Sequence, residues 1–176
     1  MIRYEDLKEA SKKVEKENWI FRSFLKEQDS EKLDGIVHKL HDELFKHMDC
    51  VSCCNCCRKV SPALNQEDID RISKHLKISE EEFKSRYLEV DEGGDLLIKQ
   101  KPCSFLCKEG CSIYDIRPDD CKRFPYTDKP EFWTRLINMV ELCSVCPVVF
   151  EIFERLKDIY GEEFEKYKSQ YPDNWI

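Results

Sequence analysis

Five of the eight residues from Cys50 to Cys57, C-V-S-C-C-N-C-C, are cysteine. Cys50, Cys53 and Cys56 step by three, and Cys57 follows at once. A two-residue gap lets a short loop aim two thiolates at one centre, at the roughly 3.5–4 Å sulfur separations of a tetrahedral site. Packing alone gives no reason for such density. A second group lies in K-P-C-S-F-L-C-K-E-G-C-S-I-Y-D-I-R-P-D-D-C-K-R-F-P-Y, with Cys103, Cys107, Cys111 and Cys121; a third is Cys143-S-V-Cys146-Pro147. There are 11 cysteines in all, an odd number, so at least one is spare or serves another purpose. The N-terminal M-I-R-Y-E-D-L-K-E-A is not an apolar leader, which leads us to expect a cytoplasmic protein with reduced thiols. Grouped, reduced thiols point to a metal or a cluster rather than to disulfides.

Four thiolates around a divalent ion or an oxidised four-iron cluster carry excess negative charge. Arg117, Lys122 and Arg123 stand beside the second group, and we expect Arg117 and Lys122 to offset that charge at the cofactor. The formal net charge of −7 over 176 residues speaks against broad nucleic-acid binding, which requires a basic footprint. No apolar run approaches the ~18 residues of a membrane span. The expected partners are a protein redox partner or a protein substrate, with no nucleic acid and no membrane.

The elements that must position the cysteines are mostly helical. Residues 1–49 read as two amphipathic helices broken at Gln28-Asp29-Ser30, the first carrying Leu7, Val14, Phe21 and Phe24, the second Leu33, Val37, Leu40 and Leu44. His38, His41 and His47 lie on the second, where a solvated or hydrogen-bonded role is expected. Arg58 to Leu64 should be extended. Asn65 caps a helix from about Gln66 to His75, and Ser79 with Glu82 caps another through about Leu88. Asp91–Gly94 is a loop before a strand over 95–100, Lys108-Glu109-Gly110 is a turn, and Pro118 opens a short helix carrying Cys121. Phe132 to Val140 form a strand or a helix. A helix over 148–160 and a last one around 162–171 complete the chain, with Trp175 left unassigned. The expected fold is mostly α with a small β hairpin or short sheet (α+β), an irregular single domain around a cysteine-ligated metal centre. Its parts are an N-terminal helical hairpin (1–49), a cysteine-cluster region (50–150) and C-terminal helices (151–176).

The set Cys50-x-x-Cys53-x-x-Cys56-Cys57, Pro102-Cys103-Ser104-Phe105-Leu106 and Cys111-Ser112-Ile113-Tyr114-x-x-Arg117-Pro118-x-x-Cys121-Lys122-x-Phe124-Pro125 resembles the CxxCxxCC family. Its members are also called YkgJ-type cysteine-cluster proteins, a zinc- or iron-chelating domain that includes relatives of flagellin lysine N-methylases. The resemblance covers about residues 48–150. It implies Cys50, Cys53, Cys56, Cys57, Cys103, Cys111 and Cys121 as metal ligands, with Cys146 or Cys143 as the last. Cys54 and Cys107 depart from the family's pattern.

Two metals fit such thiols. The C-x-x-C-x-x-C run with a remote Cys-Pro is similar to bacterial ferredoxin ligation and favours an iron–sulfur cluster of the 4Fe–4S type. Zinc is the alternative. The adjacency of Cys56 and Cys57 counts against one cluster, because adjacent side chains diverge and Cys57 would then face a second metal or a neighbouring surface. Three functions follow: a redox or electron-transfer protein, a zinc-stapled protein-interaction module, and a protein lysine N-methylase-like enzyme. No G-x-G-x-x-G, P-loop or H-E-x-x-H occurs, which weakens the third.

Overall fold

The computed structural model describes residues 2–170. In chain order the helices are α1 (Tyr4–Leu25), α2 (Ser30–Phe45), α3 (Cys50–Cys53), α4 (Asn55–Lys59), α5 (Gln66–Leu76), α6 (Glu80–Tyr87), α7 (Asp119–Arg123), α8 (Leu136–Leu142) and α9 (Pro147–Gln170). The strands are β1 (Leu88–Val90), β2 (Leu96–Ile98), β3 (Leu106–Cys107) and β4 (Gly110–Cys111). The described chain is thus mostly helical with two small antiparallel strand pairs. Among the described residues, contacts group 2–48 with 125–170 as one compact unit and 49–124 as another. The three-part reading of the sequence grouped residues by linear order instead.

The helical unit is built on α9, against which both α1 and α2 pack. Phe21 and Phe24 of α1 meet Phe153, Tyr160 and Phe164 of α9, with ring centroids 4.7–6.1 Å apart. Edge-to-face pairs of this kind add to the area that they bury. Asp29 N-caps α2 by accepting from Lys32 N at 2.7 Å. Within α2, the Asp34 carboxylate accepts from the N–H groups of Glu131 (2.6 Å) and Phe132 (2.9 Å), fixing the 3₁₀ turn Phe132–Arg135 that leads into α8. The helix alternative for Phe132 to Val140 is therefore the one adopted. The expected break near residue 161 is absent, and α9 runs through it as one helix. Gly161 costs about 1 kcal/mol in a helix, which the packing of Tyr160 and Phe164 offsets. Tyr171 and Trp175 lie outside the described residues. Among those described, no single helix is long and apolar enough to cross a membrane; the stretch Phe132–Leu142 passes such a test only together with α9, bent by 115°.

The unit of residues 49–124 has a compact apolar core of Leu64, Ile69, Ile72, Phe83, Leu88, Ile98, Phe105 and Ile113. Its helices begin where the sequence places them. Asn65 and Asp68 form a reciprocal capping box at α5, and Ser79 Oγ accepts from Glu82 N at α6. Asp91 Oδ1 accepts from Gly93 N and Asp95 N, closing the loop between β1 and β2 in the register Leu88↔Ile98. One local expectation needs correction. Arg58 and Lys59 belong to helix α4, and the extended segment starts at Val60. From there the chain runs beside β2, with Leu64 N donating to Leu96 O at 2.8 Å and Ile98 N to Pro62 O at 3.2 Å.

Candidate metal centre

In one straight helix, Cys50, Cys53, Cys54 and Cys57 would share a face and Cys56 would be turned away from it. The structure breaks that helix at Cys54, which adopts the left-handed conformation (φ 46°, ψ 20°) and serves as C-cap of α3 and N-cap of α4. A non-glycine residue there carries about 1–2 kcal/mol of backbone cost. The Cys54 thiol is buried and donates to Val51 O at 2.8 Å. Asp49 opens α3, accepting from Val51 N, Ser52 N and Ser52 Oγ, and these bonds, led by that of Ser52, hold its carboxyl below the usual range.

The kink brings Cys56 and Cys57 to the same place. Both line a cavity of about 40 Å³ together with Cys103 and Cys121, walled by Val60, Pro62, Asp120 and Phe124. The expectation that Cys56 and Cys57 diverge is therefore corrected: short α4 presents both to one cavity. Cys103 is tied to this wall by its backbone, its N–H donating to Cys57 O at 2.8 Å. Cys111 stands on the β3–β4 hairpin in register with Leu106. That hairpin packs on α3 at Gly110, where an added Cβ would lie 2.9 Å from Val51 Cγ1 and 3.1 Å from Val51 O. Cys107, beside it, donates to Gly110 O at 3.0 Å.

Cys121 is presented by α7, whose position depends on α5. Buried Asp68 accepts from Asn65 N and Asp119 N and pairs with Arg71. Arg71 in turn donates to Ile116 O (3.2 Å) and Arg117 O (3.0 Å), pinning the chain that leads into α7. Across the cavity, Asp120 Oδ2 accepts from Ala63 N at 3.0 Å and joins α7 to the segment leaving α4.

Burial is the largest cause raising the thiols of Cys50, Cys53, Cys103, Cys111 and Cys121 above their ordinary pKa. The negative charge that each neighbouring thiolate would carry adds to it. Cys57 is raised first by its hydrogen bond with Cys56, then by burial. Crowded thiols without a cation keep their protons, and a bound metal supplies the missing positive charge and releases them. As the side chains stand, no three Cys, His, Asp or Glu among the described residues are gathered around a single ion. The backbone brings the thiols into one region, and rotation about χ1 must complete any coordination.

Of the two basic residues expected at the cofactor, Arg117 lies within electrostatic range of Cys50 and stacks on Tyr114, 3.9 Å from the ring centroid. Lys122 pairs with Asp119 at 2.8 Å. Arg58 was not singled out in the sequence, although it directly follows Cys57. It donates to Cys53 O at 2.8 Å and counters the charge of Cys53, Cys54 and Cys57. Asp120 was likewise passed over, and only the cavity reveals it. His41 bonds through Nδ1 to Thr127 Oγ1 at 2.8 Å, as its hydrogen-bonded reading expects. Cys143 and Cys146 belong to the helical unit. Both are buried at the turn between α8 and α9, where Cys143 donates to Met139 O at 3.3 Å.

A helical and β-hairpin scaffold that concentrates thiols from four short elements defines a cysteine-rich metal-binding class. The family described as "Putative zinc- or iron-chelating domain", CxxCxxCC, matches residues 49–147, more than half of the chain, and the chain belongs to that family. The chain is also similar to an uncharacterised protein of Methanocaldococcus jannaschii, MJ0661, with 34% identity over 82 residues. That match covers 44% of this chain and 44% of the relative, so it spans less than half the relative's length. No solved structure matches.

Proposed function

We propose that residues 49–124 form a metal-stapled module in which thiolates bind discrete divalent ions, zinc foremost, and the metal secures the fold around it. The observation that carries this reading is the cavity where Cys56 and Cys57 of α4, Cys103 of the loop between β2 and β3 and Cys121 of α7 meet. Four thiols at one cavity match the ligand number of a tetrahedral thiolate-bound zinc ion. Helices α4 and α7, which carry three of these thiols, are five residues long each, too short to hold themselves without tertiary support. A metal bound across them would act as part of the folding free energy. The module would serve to dock a protein partner.

A second reading, a 4Fe–4S centre passing electrons to a protein partner, is favoured by the ferredoxin-like step of Cys50, Cys53 and Cys56 and by the apolar walls of Val60 and Phe124. Anaerobic purification followed by zinc, iron and sulfide analysis separates the two. Colourless protein with stoichiometric zinc that unfolds under chelators is expected. A band near ~400 nm with matching iron and sulfide would replace the first reading by the second.

A further inference from the structure

We propose that Cys54 and Cys57 are a redox pair: a hydroperoxide oxidises them to a disulfide, which withdraws Cys57 from the metal and opens the centre reversibly. This regulation of the centre rests on the discrete-ion reading above. Geometry is the first support. Cys54 is the N-cap of α4 and Cys57 stands three residues on, with Asn55 and Cys56 between them inside the helix. The torsions of those two residues fix the span, so the left-handed turn of Cys54 itself does not alter it. On helical dimensions the two Cα atoms are about 5 Å apart, inside the roughly 4.4–6.8 Å that a disulfide bridges. Adjacent residues, as Cys53 and Cys54 or Cys56 and Cys57 are, have Cα atoms only about 3.8 Å apart and fall outside that range. The thiols of Cys54 and Cys57 are also in hydrogen-bond contact with each other.

The second support is the type of residue at the kink. Cys54 has φ 46°, a position that glycine takes at less cost. A strained backbone kept for a cysteine points to a use for its side chain. That thiol is buried and donates to Val51 O at 2.8 Å, which keeps it protonated and off the metal. Cys57 is only half-buried and lines the cavity. The pair thus sets one thiol that an oxidant can reach beside a sheltered one that can resolve it.

The chemistry runs in two steps. The Cys57 thiolate attacks a peroxide oxygen; the O–O bond breaks, an S–O bond forms, and the products are a sulfenic acid and hydroxide. The peroxide gains the two electrons that the sulfur loses. Cys54 sulfur then attacks Cys57 sulfur. The S–S bond forms, the S–O bond breaks, and the departing hydroxide leaves as water with the Cys54 proton. The cavity is left with Cys56, Cys103 and Cys121, one thiolate short of a tetrahedron. Reduction by a dithiol returns both thiols and restores the full set.

The test treats the zinc-loaded full chain with hydrogen peroxide in the presence of a chromophoric chelator. Zinc should be released. Differential alkylation with fragment mass spectrometry should find Cys54 joined to Cys57, with Cys50, Cys53 and Cys56 still free thiols. Dithiothreitol should then restore zinc binding. Cys54→Ser keeps a hydroxyl donor for Val51 O and should load zinc as the unaltered chain does. Its Cys57 has no resolving thiol and passes on to sulfinic acid, so dithiothreitol should not restore zinc binding after peroxide. Should Cys54→Ser not fold, Cys54→Gly, which relieves the left-handed position, takes its place. A bridge between any other two cysteines, the equally spaced Cys50 and Cys53 included, overturns the redox pair. So does zinc binding that resists peroxide, or full recovery of the Cys54 variant. A folded chain that takes up no zinc overturns the discrete-ion reading instead, and the bridge mapped in that chain still decides the pair.

Discussion

Replacing Gly110 by alanine tests whether the cysteine group depends on the close approach of the β3–β4 hairpin to α3. Gly110 has φ +114°, a conformation that costs an L-residue about 1–3 kcal/mol. The new Cβ would also press on Val51, at 2.9 Å from Cγ1 and 3.1 Å from the carbonyl oxygen. The methyl group can rotate away, but the backbone oxygen cannot, so overpacking adds about 1–3 kcal/mol. Gly94 is the internal control. It has φ +90° with nothing within 4 Å of its would-be Cβ, so Gly94→Ala carries the backbone cost alone. Urea unfolding of zinc-loaded protein should therefore find Gly110→Ala less stable than Gly94→Ala by about 1–3 kcal/mol. Because the hairpin carries Cys111 and α3 carries Cys50 and Cys53, Gly110→Ala should also lower zinc affinity by about tenfold or more, measured by competition with a chromophoric chelator. Gly94→Ala should leave affinity unchanged. Equal stability and equal affinity in the two variants would refute the reasoning.

Three further outcomes are expected. Asp68→Ala removes the acceptor for Asp119 N and leaves Arg71 without its carboxylate, which should cost about 2–4 kcal/mol in chemical unfolding and weaken metal retention through Cys121. Cys54→Gly relieves a left-handed residue and should keep its full metal content by elemental analysis, whereas Cys53→Ser and Cys121→Ser should each lower it. In the helical unit, burial pushes the Glu17 carboxyl up, but hydrogen bonds and charge from Lys157 and Lys168 outweigh it and hold the pKa below the usual value. Its stabilising contribution is therefore complete above the unfolded pKa and lost as pH falls through the lower folded one. Glu17 is partly exposed, so Glu17→Gln should cost only about 0.5–1 kcal/mol near pH 7, and denaturation midpoints measured down to pH 3 should show the difference closing.

Much of the scaffold was legible because it is governed locally. The apolar periodicity of residues 4–45, the Asn65–Asp68 box, the Ser79 cap and the Lys108–Gly110 turn each depend on residues within a few positions of one another. Where the local rule met tertiary packing, packing prevailed. Gly161 continues a helix because Tyr160 and Phe164 are clamped by Phe24, a residue far away in sequence.

The sequence by itself determined that this is a thiol-rich metal-binding protein, because ligand chemistry is a property of residue type and cysteines at a pitch of three have few other uses. Only the tertiary structure decided how those thiols are grouped. The left-handed turn at Cys54, the Asp120–Ala63 bond across the cavity and the Asp68–Arg71 clamp under α7 bring together residues up to 65 positions apart, as Cys56 and Cys121 are. Spacing along a chain reports which residues can reach a common point; which of them do depends on long-range contacts that no local pattern encodes.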